Sequence, residues 1–124
     1  MNYFLYRIIM WMYGSSIPLS TQFKDTPIFL HGLYGIFISG GARIGKNVTI
    51  YQQVTIGSVP NKNSKHFGAP TIGDNVLIGA GAKIVGNVKV GNNVNIGANA
   101  VVFEDIPDNA TVVVERPRVI TNAV

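Results

Sequence analysis

The sequence predicts an all-β protein, a parallel β-helix of stacked short strands, and three observations carry that prediction. Aliphatic residues recur every six positions through most of the 124 residues. Glycine follows many of them, and asparagine, aspartate or lysine fills many of the intervening places. The chain is 47% hydrophobic and only 13% charged, which excludes a disordered or acidic solvating segment. So few charges on so apolar a chain imply that much of its surface is covered, and an oligomer is expected.

The first element is apolar. Residues 1–13, MNYFLYRIIMWMY, carry one charge, Arg7, before Gly14 offers a stop. The stretch reads as a short helix, apolar nearly all round. It is well short of the roughly 20 residues a membrane span needs, and it lacks the features of a secretory signal. The expected role is packing on the domain or on a neighbouring subunit. The alternative is contact with a membrane surface, Trp11 and the tyrosines lying among headgroups. The expected location is therefore cytoplasmic, with a peripheral membrane contact as the variant. Residues 1–25 are taken as an N-terminal helical or extended segment, 26–120 as the β-helix and 121–124 as a tail.

The repeat follows. One row runs Ile38, Ile44, Ile50, Ile56, then Ile72, Ile78, Ile84, Val90, Ile96 and Val102. A second row, offset by four, runs Ala42, Val48, Val54, then Val76, Ala82, Val88, Val94, Ala100, Ile106 and Val112. On this reading Asp108 interrupts the first row and Val114 restores it. A period of six suits neither a long helix nor an isolated strand. It suits a short strand and a turn, three of which make a triangular coil, with coils stacked about 4.8 Å apart. Glycine and asparagine are expected at corners because they tolerate positive φ. Spacing alone does not give the hand of the coil.

The ruler skips once, between Ile56 and Ile72. The insert, residues 58–71, contains Pro60, Gly68, Pro70 and His66 and reads as an exposed loop. Long loops on rigid scaffolds are usually functional. No cysteine is present, which excludes disulfides and thiolate catalysis. His31 and His66 are the only histidines, too few for a three-histidine zinc site within the chain. No metal is expected. The net charge of +4 and pI near 9.6 favour an anionic ligand, and no nucleic-acid-binding motif is present.

Residues 44–57, 70–102 and 106–113 together resemble the left-handed β-helix acyltransferases built from hexapeptide repeats. IGAGAKI (78–84) with IGANAVV (96–102) is most similar to the serine O-acetyltransferase-like branch, which includes enzymes that acetylate surface polysaccharides. The resemblance implies a homotrimer with active sites between β-helices, acetyl-CoA as donor and a hydroxyl as acceptor. It implies a histidine as general base, a role suited to an imidazole near working pH. LHGLYGIFI (30–38) resembles the family's catalytic segment and gives His31 that role. His66 is the second candidate, through the loop. Ala80, Gly81 and Ala98 resemble the wall along which the pantetheine arm runs, and Lys83, Arg116 and Arg118 are candidates for the CoA phosphates.

The chain departs from the family pattern at four places. Leu30 stands where an aspartate often contacts an amino-acid acceptor. Ser16 stands where the histidine-orienting aspartate maps, with Asp25 as a further candidate. Ala69 stands where a second histidine precedes Pro-Lys-Ile, and Arg116-Pro117-Arg118-Val119 alters the usual ending. The expected function is therefore acetyl transfer from acetyl-CoA to a sugar hydroxyl of a surface polysaccharide or its precursor. L-serine is the alternative acceptor, and a non-catalytic β-helix scaffold is the alternative of another class.

Overall fold

The computed structural model describes residues 2–124. One helix is followed by thirteen strands of two or three residues. The helix is α1 (Tyr3–Met12). The strands of the first two coils are β1 (Gln22–Phe23), β2 (Ile28–Phe29), β3 (Phe37–Ile38), β4 (Arg43–Ile44), β5 (Thr49–Ile50) and β6 (Thr55–Gly57). The remainder are β7 (Thr71–Ile72), β8 (Leu77–Ile78), β9 (Lys83–Val85), β10 (Lys89–Val90), β11 (Asn95–Ile96), β12 (Val101–Val102) and β13 (Thr111–Val112).

Every strand pairs in parallel with its counterpart one coil away, giving three faces. Face one stacks β1, β4, β7 and β10; face two stacks β2, β5, β8, β11 and β13; face three stacks β3, β6, β9 and β12. Register keeps like on like: Ile50 lies on Ile78 and Ile78 on Ile96, while Ile38, Ile56 and Ile84 follow one another on face three. In each two-residue strand from β3 to β12, the second residue is buried and the first is at least partly exposed. Both aliphatic rows fill the interior, and Ile50, Val54, Ile78, Ala82, Ile84, Val94 and Ile96 are fully buried. Removing that surface from water is the main term holding the coils together.

The coils start earlier than the rows suggest. Ser15, Thr21 and Pro27 are buried, and Ile17, Phe23 and Phe29 pack against the core. Ser16 already bridges to Phe37 in parallel. The last coil corrects the row assignment. Val90 bridges to Ile106 and Ile96 pairs with Val112, so Ile106 and Val112 continue the first row, and Val114 is exposed. Two residues are dropped between Val102 and Ile106, which shifts the register.

Positive φ is shared, as expected, between asparagine, at Asn47, Asn75, Asn93, Asn99 and Asn109, and glycine, at Gly14, Gly32, Gly35, Gly68, Gly81 and Gly86, with Gln53 besides. The glycines that follow row residues differ. Gly45, Gly73, Gly79, Gly91 and Gly97 do not have positive φ. They are needed because the next coil is too close. A Cβ on Gly73 would lie 2.7 Å from the Gly91 carbonyl oxygen and 2.5 Å from Asn92 Oδ1. Between faces one and two the corner is a polar ladder. Lys46 N–H donates to Asp74 Oδ1 (2.8 Å), Asp74 N–H to Asn92 Oδ1 (2.8 Å) and Asn92 N–H to Asp108 Oδ1 (2.7 Å).

Helix α1 is capped by Asn2, whose side chain accepts from Phe4 N–H at 2.8 Å. It leans on the first coil through Met10, its one buried residue, and through Tyr6, whose hydroxyl donates to the Ile17 carbonyl. Burial, and secondarily Tyr3, raises the Tyr6 pKa. Tyr13 packs edge-on against Tyr34 with ring centroids 4.9 Å apart.

Candidate active site

Four of the residues singled out from the sequence, His31, Ala80, Gly81 and Ala98, fall on one corner, where face two turns into face three. From coil to coil it stacks His31, then Tyr51 and Gln52, then Ala80 and Gly81, then Ala98 and Asn99. The first corner is enlarged. Six residues, Leu30 to Gly35, lie between Phe29 and Ile36, where three, Tyr51 to Gln53, lie between Ile50 and Val54 in the next coil. Gly32 and Gly35, at φ 81° and 63°, let the longer turn close, and Gly32 N–H donates to the Phe29 carbonyl at 3.0 Å. This bulge puts His31 outside the stack, exposed, with its ring 5.4 Å from that of Tyr51 at a 48° tilt.

Neither proposed carboxylate substitute approaches His31 by hydrogen bonding. Asp25 is on the other side of the coil, where its Oδ1 accepts from Asn47 N–H at 3.2 Å. Ser16 lies in the first turn of face three, and its backbone bonds to Ile36 and Ile38. The side chain that contacts the imidazole is Tyr51, one coil above. Sequence reasoning passed over both Tyr51 and Gln52. Gln52 Oε1 is buried with no hydrogen-bond partner. A buried acceptor without a donor costs about 1–3 kcal/mol, so this corner has a place for an incoming N–H or O–H. The signal in the sequence was the pair Gln52-Gln53, where the next two coils carry only glycine, alanine or asparagine at the same corner.

The small residues divide into two kinds. Gly81 is buried and already engaged: its N–H donates to the Gln52 carbonyl at 3.0 Å, and its own carbonyl accepts from Lys83 Nζ at 2.8 Å. Its φ of 71°, and Asn99 Oδ1 only 2.3 Å from where a Cβ would be, make it a structural requirement. Ala80 is half-buried and its carbonyl accepts from Asn99 N–H at 2.8 Å, while Ala98 is exposed. Among the described residues no intrachain hydrogen bond engages the Ala80 or Ala98 N–H. A linear chain bearing amide groups fits along this strip, because methyl side chains leave those backbone donors reachable.

His66 lies elsewhere, on the corner between faces three and one. Its loop is folded, not free. Val59 and Gly68 exchange N–H···O bonds at 2.9 and 3.1 Å, and the His66 carbonyl accepts from Asn87 N–H at 3.0 Å. The half-buried imidazole meets Phe103 edge-on, with centroids 6.2 Å apart. A single chain therefore does not bring His31 and His66 together. Arg116 and Arg118 are exposed in the stretch beyond β13 and belong to no strand. Among the described residues no cluster of His, Cys, Asp or Glu could hold a metal ion.

Comparison with known proteins agrees with this architecture. Residues 69–104 match the bacterial transferase hexapeptide (six repeats) family. The chain is 53% identical over 83 residues to a serine acetyltransferase of Staphylococcus aureus, covering 67% of this chain and 38% of that protein. Among solved structures, serine acetyltransferase isoform 3 of Entamoeba histolytica, in complex with cysteine, superposes with a TM-score of 0.80. It is 38% identical, covering 94% of this chain and 41% of that one. The serine acetyltransferase of Neisseria gonorrhoeae, in complex with serine, gives a TM-score of 0.79 and 33% identity, covering 93% and 46%. The fold is thus the left-handed parallel β-helix, and the chain spans about two-fifths of the length of the curated relatives it matches.

Proposed function

Given that the chain carries the hexapeptide-repeat β-helix of the serine O-acetyltransferase-like proteins, we propose that it transfers acetyl from acetyl-CoA to a hydroxyl acceptor. The observation that carries this reading is the shared corner. The candidate base, His31, and the strip with free backbone donors, Ala80 and Ala98, follow one another along a single edge of the β-helix. When bound, acetyl-CoA supplies a thioester carbonyl open to attack. His31 takes the proton of the acceptor hydroxyl as its oxygen forms the bond to carbon, and returns that proton to the departing sulfur. Tyr51 holds the ring from one side, and Gln52 Oε1 offers an acceptor to an N–H or O–H of either substrate. Lys83, next to the strip, and Arg116 remain candidates for the CoA phosphates.

The site needs a second wall. A convex corner with His31 and Ala98 exposed encloses nothing, so we assign the wall to a neighbouring copy in a trimer, whose loop would present His66. L-serine is the acceptor that the relatives favour. Leu30 favours a second reading, a sugar hydroxyl, because an apolar side chain beside His31 offers no charge to grip an ammonium group. The test is release of CoA from acetyl-CoA with L-serine, with monosaccharides or with no acceptor. Release that depends on L-serine fixes the first reading, and release that depends only on sugars fixes the second. A well-folded protein that releases none with any acceptor is a scaffold.

A further inference from the structure

The outward face of α1 has no partner among the described residues, and we propose that it is a docking surface for anionic phospholipid, holding the protein on a membrane. The packing of the helix fixes which side faces out. Met10 is buried, Tyr6 is tied to Ile17, and Ser15 N–H donates to the Met10 carbonyl at 2.9 Å. Residues three, four and seven apart share a helix face. The side opposite Tyr6 and Met10 therefore carries Phe4, Ile8 and Trp11, with Leu5 and Met12 beside them. All five are exposed, Phe4 at 72%, Trp11 at 82% and Met12 at 71%. Apolar stripes of this kind on a soluble surface mark an interaction site.

Two observations select lipid over a second copy of the chain. The first is charge. Residues 1–24 contain Arg7 and Lys24 and no aspartate or glutamate. Exposed Arg7 flanks the stripe with no acidic residue of its own segment to meet it, so two helices packed together would bring arginine towards arginine. A phosphate-bearing surface meets both the cation and the stripe. The second is extent. A stable protein interface uses roughly 20–30 residues a side, whereas the stripe offers five. Shallow insertion into a headgroup layer requires no more, and Trp11 is of a residue type that settles at that depth. No described helix is long and apolar enough to cross a membrane, so the contact is peripheral. Because α1 leans on the first coil, which also bears His31, docking here would keep the candidate active site next to the membrane.

The chain has one tryptophan, Trp11, so its fluorescence reports on this helix alone. In the free protein its emission is expected to be solvent-like and open to acrylamide. Adding vesicles of phosphatidylcholine with phosphatidylglycerol should shift emission to the blue and shield it from acrylamide, and pure phosphatidylcholine should do so less. Ile8→Ser should lower vesicle co-sedimentation at least about tenfold, as loss of one inserted aliphatic side chain implies, with an unchanged melting temperature. Arg7→Glu should abolish the preference for the anionic vesicles. Emission that no vesicle alters overturns the proposal. Emission already blue and shielded without lipid overturns it too, because a second copy then covers the helix.

Discussion

His31 occupies the outer turn of an enlarged corner, braced by the Tyr51 ring, and Ala98 lies further along the same edge. The two positions differ in what substitution should do. Ala98→Trp puts an indole into the strip assigned to the pantetheine arm, so it should raise the KM for acetyl-CoA several-fold with little change in melting temperature. A variant that melts early yet keeps its KM would make Ala98 a corner residue only. His66 is anchored by Asn87 and Phe103 in one chain, so His66→Ala separates its two roles. If a neighbour's loop closes the site, kcat falls at least about tenfold, within the range of a lost acid–base group. An unchanged kcat would leave His66 as packing for the loop. Of these residues, His31 was legible because LHGLYGI resembles a known segment. Tyr51 and Gln52 were not, because nothing in their local pattern shows which residue stacks on a corner one coil away.

At the scale of elements, six-residue spacing made the middle of the β-helix readable and its ends obscure. Ile17, Phe23 and Phe29 are also six apart, but Ser15, Thr21 and Pro27 hold the second row there, and no aliphatic pair advertises the coil. The extra residues of the His31 corner then break the spacing before Ile38. At the other end the loss of two residues after Val102 moves Ile106 and Val112 into the first row. The glycines show why composition alone misleads, since close approach of coils rather than positive φ selects most of those following row residues. A paired substitution tests this. Gly73→Ala forces a Cβ into the Gly91 carbonyl and should cost about 1–3 kcal/mol of stability, as overpacking does. At Gly57 the nearest atom to an added Cβ is Thr55 Cγ2 at 3.6 Å, so Gly57→Ala should melt close to the parent protein. Equal losses at both would reject the close-approach explanation.

For the whole molecule, one continuous core runs through all the coils, so a single buried charge should be felt throughout. Ile78→Asp places a carboxylate with no partner among fully buried side chains and should abolish folding. The three-sided stack presents corners, and a corner becomes a cleft only against another molecule. Light scattering should therefore give a mass three times 13.4 kDa, and a stable monomer would leave the site open and the proposal without its second wall. The most direct measurement of the central claim is the rate of acceptor-dependent CoA release by His31→Ala beside the parent protein. With melting temperatures equal, kcat should fall by roughly 10²–10⁴-fold, the usual contribution of one general base, while the KM for acetyl-CoA stays near that of the parent. Turnover at the parent's rate would contradict the account, because the corner from His31 to Ala98 would then not be where acetyl is transferred.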